Sequence, residues 1–423
     1  MKARISTAAG PVGRDADVAI VGGGVAGLTL AAALGTAGVD TVVVDRDSAD
    51  ARTAAGLGDR TTALTYGSIR VLQGVGAWRH VEADAEPILA MHVADNWSPL
   101  VLHVEGDDIG DHPYGYNIEN GCIRRALLTR LGELPSVEHR APAEATGFAR
   151  HGGGLAVELG EGRTVRASLL VGADGRDSPT RAWAGIAARR WRYDQIAIVC
   201  TVRHDRPHGN VAIEHLMPSG PFAIVPMTDG VDEAGRPRHR SAIIWCERRR
   251  RAPAFLDLAQ ADFDAELQRR CGDALGTVTQ LGRRFAYPLS GLHARRYVAD
   301  RVALLGEAAH VLHPIAAQGL NLGMRDAAAL AEVVTDARRL GLDIGAADLL
   351  ARYQRWRRID TMSVIAYTDA FFRLFANSIA PLKLARDLGL AAINRLPPLK
   401  RRMMQDAMGL TGTLPRLVKG EAL

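Results

Sequence analysis

The sequence predicts an α/β fold with an α+β insert: a dinucleotide-binding domain of Rossmann type, a mixed-sheet domain and a helical C-terminal region. Three observations predict it. The chain opens with a strand, a glycine turn, a helix and a second strand; four alternating or apolar strands follow one another in mid-chain; and the segment after residue 326 is helical. With 423 residues, the chain exceeds one ordinary domain, so we expect two connected domains.

The opening unit, residues 17–45, matches the βαβ fingerprint of dinucleotide binding, with the turn sequence GGGVAG. Gly22 permits the tight turn, Gly24 lets the backbone approach a pyrophosphate, and Gly27 allows close packing of helix on strand. Asp45 ends the second strand, where a carboxylate accepts hydrogen bonds from a ribose. The alternative, an ordinary glycine-rich turn, does not explain the acidic residue at that spacing.

Four arginines are further candidates for the cofactor site. Arg46 could reach the adenine side or be a solvated charge at the strand end. Arg60 precedes a predicted helix, where it could contact a phosphate or the cofactor edge, or form an ion pair at the helix entry. In the predicted helix 122–134, Arg124 or Arg125 could reach a phosphate, and the sequence does not choose between them; Arg125 is taken as the candidate.

A second motif, Gly-Ala-Asp-Gly, follows the apolar strand predicted over residues 165–171. It places Asp174 on a tight turn at the carboxyl end of a sheet strand, where open α/β sheets bind ligands. A β-turn capped by an aspartate is the alternative. The glycine run 152–154 lacks the fingerprint spacing and predicts a hairpin turn instead.

The third motif is the segment 301–326, which reads as strand, polar loop and helix start. Glu307, His310 and His313 could be metal ligands, or the loop could hold a large cofactor with its backbone groups. The metal interpretation fails because no second ligand set is evident and Pro314 breaks the helical spacing. The sequence therefore favours a cofactor loop leading into a helix that begins near Leu320.

Composition excludes several classes of function. The net charge of +5 is scattered and no basic groove with aromatic residues is visible, so we expect no nucleic-acid partner. The four cysteines have neither zinc nor disulfide spacing. The N-terminus lacks a signal core and the uncharged stretch 18–39 is the glycine fingerprint, so we expect a cytoplasmic protein without a transmembrane helix.

The three motifs in this order resemble the FAD-dependent aromatic hydroxylases of the p-hydroxybenzoate hydroxylase fold. The closer resemblance is to the UbiH-type ubiquinone-biosynthesis hydroxylases. It rests on LHPIAAQGLNLGMRD at residues 312–326, Asp59-Arg60 with Ala63-Leu64, the GPFA segment at 220–223, and the tail 403–420. The resemblance spans nearly the whole chain.

The resemblance implies roles for residues at the matching positions. The fingerprint glycines and Asp45 would hold the ADP half of FAD, Asp174 would lie by the pyrophosphate, and Glu307 would reach the ribitol. The flavin ring would be lined by Pro314, Gln318, Gly319, Leu320 and Asn321. His310 or His313 could relay protons or orient substrate, although a structural role in the turn is favoured.

The resemblance also implies the chemistry. Reduced FAD would react with O2 to a C4a-hydroperoxide that hydroxylates an electron-rich ring, namely that of a polyprenylated phenol, with NAD(P)H or an external donor as reductant. Met217, Phe222 and Pro226 are candidates for the substrate wall. The alternatives are a hydroxylase of a soluble phenol and a non-catalytic scaffold subunit in a quinone-biosynthesis complex. The scaffold alternative is motivated by Glu307 and Ala317, which stand where aspartate or asparagine and glycine are usual.

The predicted FAD-binding domain is discontinuous, over residues 1–90, 120–180 and 290–340. Residues 91–119 and 181–289 form the predicted substrate sheet, and 341–423 the helical C-terminal region. In that region, leucines alternate with basic residues. It could lie on an anionic membrane surface, as a peripheral contact at the inner membrane face, or pack on the protein body or on a partner in a quinone-biosynthesis complex.

Overall fold

The computed structural model describes residues 15–49, 60–96, 98, 100–105, 110, 112–231, 237–375 and 380–423. Asp59 and residues 1–14 lie outside these ranges. The strands within the described ranges are β1 Ala16–Val21, β2 Thr41–Val44, β3 Thr61–Thr65, β4 Glu86–Ile88, β5 Ala90–Ala94, β6 Val101–Glu105, β7 Gly115–Glu119, β8 Val137–Arg140, β9 Ala145–His151, β10 Gly154–Leu159, β11 Thr164–Gly172, β12 Ala188–His204, β13 Val211–Met217, β14 Gly220–Val231, β15 Pro237–Arg248, β16 Val278–Ala294, β17 Val298–Ala299, β18 Val302–Leu304 and β19 His310–Val311.

The helices alternate with strands in the first half of the chain and follow one another in the last part. Those in the described ranges are α1 Val25–Thr36, α2 Tyr66–Gly74, α3 Asn120–Gly132, α4 Pro179–Trp183, α5 Ala252–Leu256, α6 Gln260–Cys271, α7 Gln318–Arg339, α8 Ala347–Phe375, α9 Ala380–Asn394, α10 Pro397–Ala407 and α11 Arg416–Lys419.

The first sheet is the nucleotide-binding sheet. Its parallel strands run in the order β8, β2, β1, β11, β18, with β17 antiparallel at the edge and the β9–β10 hairpin attached to β11. Strand β1 is buried along its whole length because helices cover both faces of such a sheet, which is why it reads as an apolar run. The glycine run 152–154 turns this hairpin, as predicted.

The second sheet is mixed, as predicted. Its order is β19, β16, β12, β15, β14, β13, β5, β6, and all pairs are antiparallel except β13 with β5. A small sheet of β3, β7 and β4 stands beside it. Strand β16 runs to Ala294, and β19 adds residues 310–311 to the same sheet, so this sheet also takes residues from the segment assigned above to the FAD-binding domain.

The two faces of the second sheet differ in what covers them. The helix-covered face, defined by Ile198, Met217, Phe222 and Trp245, packs against α5 and α6 in one apolar cluster. The inner face, defined by Ala212, Leu216 and Val225, packs in another cluster with Ile315 and with side chains from α8, α9 and α10. The inner face therefore contacts the third sequence motif, residues 301–326, through Ile315.

Candidate active site

The three motifs meet at one edge of the nucleotide-binding sheet. Strands β1, β11 and β18 are parallel neighbours, and their last residues Val21, Gly172 and Leu304 lie side by side in register. The glycine turn, the Gly-Ala-Asp-Gly turn and the 306–321 loop each follow one of these ends. This is the edge at which open α/β sheets bind ligands.

The three fingerprint glycines are required for different reasons. Gly22 has a φ of +113°, and a Cβ there would collide with the carbonyl of Ala173. A Cβ on Gly27 would collide with the carbonyl of Gly22. A Cβ on Gly24 would meet no atom within 4 Å. The space above Gly24, at the N-terminus of α1, is therefore open to a phosphate group.

Asp45 is buried at the end of β2 and is positioned by Arg124. The Arg124 Nη2 lies 2.5 Å from the Asp45 Oδ2, and its Nε donates to the carbonyl of Gly23 at 3.0 Å. The neighbouring Arg125 points elsewhere, donating from Nη2 to Asp84 Oδ2 at 3.0 Å. Of the two arginines that the sequence left open, Arg124 is the one at the glycine turn, and Arg125, taken as the candidate, lies away from it.

Asp174 has one oxygen engaged and one unpaired. Its Oδ2 accepts a hydrogen bond from the Thr180 backbone N–H at 2.9 Å. Its Oδ1 is buried and has no hydrogen-bond partner among the described residues. A buried carboxylate oxygen without a donor is costly, so this atom suits a hydroxyl or N–H of a bound group. The open space at Gly24 and this unpaired oxygen together fit an FAD molecule lying across the strand ends.

The remaining arginine candidates are at the margin of this edge. Arg46 has 72% of its side chain exposed, with its Nε 4.0 Å from the Asp47 carboxylate. The guanidinium of Arg60 stacks over the ring of Tyr287, 5.0 Å from its centroid. Arg60 thereby connects the small sheet to β16 of the second sheet. Cofactor contacts by these two arginines remain predictions.

Glu307 is exposed in a short 3-10 turn directly after β18, beside the ends of the other two motif strands. Gly306 precedes it with a φ of +57°, close to Ala26 of α1 and Gly323 of α7. The turn, α1 and α7 are thus packed at their small residues, which leaves the Glu307 side chain free to turn toward solvent or a ligand at this edge.

His310 belongs to a buried ion-pair network. Its Nε2 lies 2.6 Å from Asp326 Oδ2, and Arg357 Nε donates to Asp326 Oδ1 at 2.7 Å. Burial alone would raise the pKa of Asp326, but the charges of His310 and Arg357 and their hydrogen bonds lower it. The Gly306 backbone N–H donates to the same carboxylate at 3.1 Å. His310 therefore fixes the turn to α7 and α8.

His313 connects the loop to the second sheet. The backbone N–H of Ile315 donates to its Nδ1 at 3.2 Å, so the proton of the neutral ring is on Nε2, which lies 2.9 Å from Gln195 Oε1. Burial lowers the pKa of His313 to about 4. The ring is neutral at physiological pH and positions the loop against β12.

The predicted flavin-lining segment turns sharply into α7. Ala317 adopts the left-handed conformation, with φ +51° and ψ +29°, as the N-cap of that helix. Asn321 is fully buried: its Oδ1 accepts from the Thr65 N–H at 2.9 Å and from Ser68 Oγ at 2.7 Å, and its Nδ2 donates to the carbonyl of Ala63 at 3.0 Å. Its side chain therefore ties α7 to β3 and α2.

Pro314 and Leu320 are half-buried and Gly319 is exposed, whereas Gln318 is buried and donates from Nε2 to the carbonyl of Ala407 at 2.9 Å. The first turn of α7 thus presents its backbone at Gly319 and Leu320, while the side chains of Gln318 and Asn321 hold the helix in place. Contact of these residues with a flavin ring remains a prediction.

Two of the three candidates for the substrate wall lie on the other side of the sheet. Met217 and Phe222 belong to the helix-covered face, and Phe222 is fully buried against Trp245. This placement contradicts a role for them in lining a site at the inner face. Pro226 is buried, and its carbonyl accepts from Asn117 Nδ2 at 2.8 Å, at the junction with β7. Its role stays a prediction.

The fold and this edge define an FAD-dependent monooxygenase of the p-hydroxybenzoate hydroxylase fold. A family model described as an FAD binding domain matches residues 15–365, and the chain belongs to this family. The structure is similar to pqsL, a probable FAD-dependent monooxygenase from Pseudomonas aeruginosa. The TM-score is 0.74 at 25% identity, over 88% of this chain and 99% of that one. It shares its fold with p-nitrophenol 4-monooxygenase PnpA from Pseudomonas putida, with a TM-score of 0.75 at 20% identity, over 94% of this chain and 98% of that one.

More similar in sequence is ubiquinone hydroxylase UbiL of Rhodospirillum rubrum, 47% identical over 424 residues, which cover 99% of this chain and 96% of that protein. The 3-demethoxyubiquinol 3-hydroxylase of Escherichia coli is 33% identical over 398 residues, covering 93% of this chain and 98% of that protein. These relatives confirm the resemblance to ubiquinone-biosynthesis hydroxylases that the motifs indicated.

Proposed function

We propose that this protein hydroxylates the aromatic ring of a polyprenylated phenol in ubiquinone biosynthesis. It would use FAD, O2 and electrons from NAD(P)H or from an external donor. The relatives named above support the reaction, and the apolar cluster on the inner face of the second sheet supports the substrate class.

That cluster is the observation that carries the proposal. It begins at Ile315 in the predicted flavin-lining loop and continues across Leu216 and Val225 of the sheet to Phe371 and Phe375 of α8. An apolar surface that leads from a flavin site to the C-terminal helices suits a ring that carries a long hydrocarbon tail.

The chain's own residues bind and orient in this proposal. The glycine turn and the N-terminus of α1 hold the pyrophosphate, and Asp45 with Arg124 holds the ribose end. The loop fixed by His310 and His313 presents the N-terminus of α7 to the ring, where backbone N–H groups stabilise negative charge. Bound FAD supplies the activation of O2, which no side chain can provide.

The C-terminal helices also offer a surface for membrane contact. A groove of about 430 Å³ between β6 and α9 is lined by Leu100, Leu388, Ala392, Arg395 and Leu396. Among the described residues, no helix is long and apolar enough to cross a bilayer. Exposed leucines beside arginine at such a groove suit a peripheral contact with an anionic membrane, from which a prenylated substrate could enter.

A comparison of two phenols tests the substrate class. The purified holoprotein is supplied with a reductant and O2, and 2-farnesylphenol is compared with unsubstituted phenol by mass spectrometry. We expect a product heavier by one oxygen atom from 2-farnesylphenol and little from phenol. Equal hydroxylation of both would indicate a soluble-phenol hydroxylase instead.

Gly24→Asp tests whether FAD is needed at all. The substitution adds a carboxylate in open space at the pyrophosphate position, so the protein should fold but lose FAD by charge repulsion. Gly24→Ala is the matched control and should retain more FAD. In a deletion strain, we expect Gly24→Asp to abolish quinone synthesis. Full synthesis by a folded, flavin-free variant would favour the scaffold role in a quinone-biosynthesis complex.

A further inference from the structure

Glu214 is a carboxylate in the middle of the inner face. Side chains along a strand alternate, so it shares its face of β13 with Ala212 and Leu216, which both belong to the cluster containing Ile315. In the neighbouring strands it stands opposite Ala223 of β14 and Val93 of β5. The residues around this carboxylate in the sheet are therefore apolar.

The Glu214 carboxylate has neither a hydrogen-bond nor an ion-pair partner in the part of the chain that the structure describes. Glu214 is half-buried, and its neighbours on the same face of the strand, Ala212 and Leu216, are buried. Buried polar groups are nearly always paired, and exceptions are common at functional sites.

The titratable groups that interact with Glu214 are all neutral acids. They are Tyr114 before β7, Cys246 of β15 and Tyr367 of α8. Among the described residues no basic side chain offsets its burial, and that burial raises the pKa of Glu214 to about 7. A group with a pKa near the working pH is suited to accept a proton.

Cys246 also places Glu214 relative to the predicted flavin-lining loop. Cys246 and the side-chain nitrogen of Gln195 both lie so close to Gly220 that a Cβ there would collide with them. The side-chain oxygen of the same Gln195 lies 2.9 Å from His313 Nε2. The inner face near Glu214 is therefore in contact with the loop through His313 and through Ile315.

We propose that Glu214 binds the ring hydroxyl of the phenolic substrate and accepts its proton during oxygen transfer. The proposal rests on the proposed function. The phenolic O–H bond breaks, its proton passes to a carboxylate oxygen of Glu214, and its electron pair stays on the ring oxygen. The ring is thereby made more electron-rich toward an electrophilic oxygen, and the proton is returned to water after the product leaves.

Binding of 2-farnesylphenol to the oxidised holoenzyme tests this without turnover. The dissociation constant is measured from the change in flavin absorbance between pH 6 and pH 8. A hydrogen bond to a charged acceptor is stronger than one to a neutral acceptor, so binding to the unsubstituted protein should tighten about tenfold as Glu214 ionises. With Glu214→Gln, binding should be weaker at pH 8 and independent of pH.

Two controls separate this role from a structural one. Glu105→Gln, at the exposed edge strand β6 of the same sheet, should keep the pH dependence. The methyl ether 2-farnesylanisole has no proton to donate, so its binding should not tighten with pH. If Glu214→Gln keeps the tightening, or the ether shows it too, the role of Glu214 is wrong. If the unsubstituted protein binds no phenol at all, the proposed function fails together with it.

Discussion

Each face of the second sheet contains a glutamate, but the two differ in burial and in the charged groups near them. On the helix-covered face, the fully buried Glu247 lies 3.8 Å from the guanidinium of Arg270. That guanidinium also stacks over Trp245, 4.0 Å from the ring centroid. On the inner face, the half-buried Glu214 has no such partner among the residues that the structure describes. Glu247 therefore has a cation beside it and accepts a hydrogen bond from the Arg248 backbone N–H at 2.9 Å, whereas Glu214 has neither in the described part of the chain.

The difference shows how one sheet can serve stability and binding at once. Neighbouring residues of a strand project to opposite faces, so Leu216 and Met217 belong to different clusters although they are adjacent in sequence. The helix-covered face makes the sheet rigid, and the inner face can then leave a polar group unpaired at the position of a ligand.

The largest effect should come from removing the cation beside Glu247. Arg270→Ala leaves Glu247 buried without its cation and removes the stacking on Trp245. We expect a loss of about 3–5 kcal/mol in the free energy of unfolding, measured by urea denaturation at pH 7. A loss below about 1 kcal/mol would mean that the two faces do not differ in the way described.

The adjacent pair Leu216 and Met217 offers a matched test of the faces. Each is buried, so Leu216→Ala and Met217→Ala should each cost about 2–4 kcal/mol in the free energy of unfolding. Only Leu216→Ala should alter the dissociation constant of 2-farnesylphenol, because only Leu216 lies on the inner face. Altered phenol binding by Met217→Ala alone would reverse the assignment of the faces.

Glu214→Gln should stabilise the protein, in contrast to any substitution of Glu247. The folded-state pKa of Glu214 is about 7, above the ordinary 4.5, so its ionisation disfavours the folded state. Below pH 4.5 the glutamate and the glutamine should be equally stable. As the pH rises from 4.5 to 7, the variant should gain roughly 1–3 kcal/mol relative to the unsubstituted protein, and above pH 7 the difference should stay constant. Thermal unfolding at pH 4.5 and pH 8 measures this, and an equal difference at both would contradict the burial of the charge.

The motif strands could be predicted from sequence because their signals are local. A buried apolar run followed by glycines and an acidic residue indicates the end of a strand without any information from the rest of the chain. Gly22, Asp174 and Glu307 each follow such a strand, and the structure places these three strand ends side by side. The choice between Arg124 and Arg125 depends on the rotation of α3 against the sheet. No local pattern records that rotation, since it is fixed by tertiary packing.

The substrate wall was harder to predict for a similar reason. A shift of one residue moves a side chain to the opposite face of a sheet, so Met217 and Phe222 lie on the helix-covered face while their neighbours Leu216 and Ala223 project to the inner face. The sequence also contains a pattern that distinguishes Glu214: it is the one acidic residue of the strand Val211–Met217, and strand alternation places it on the same face as Ala212 and Leu216. Charge on an apolar face marks a candidate site.

The smallest effect concerns the loop that contributes Ile315 to the inner face. Ala317 is left-handed, a conformation that costs a residue with a Cβ about 1 kcal/mol and glycine almost nothing. Ala317→Gly removes this strain but increases the entropy of the unfolded chain, so we expect a gain below about 1 kcal/mol in thermal or urea unfolding. Because the backbone conformation should be unchanged, the pH dependence of phenol binding through Glu214 should be kept. A large loss of stability would mean that the methyl group of Ala317, rather than its backbone, holds the loop against the inner face.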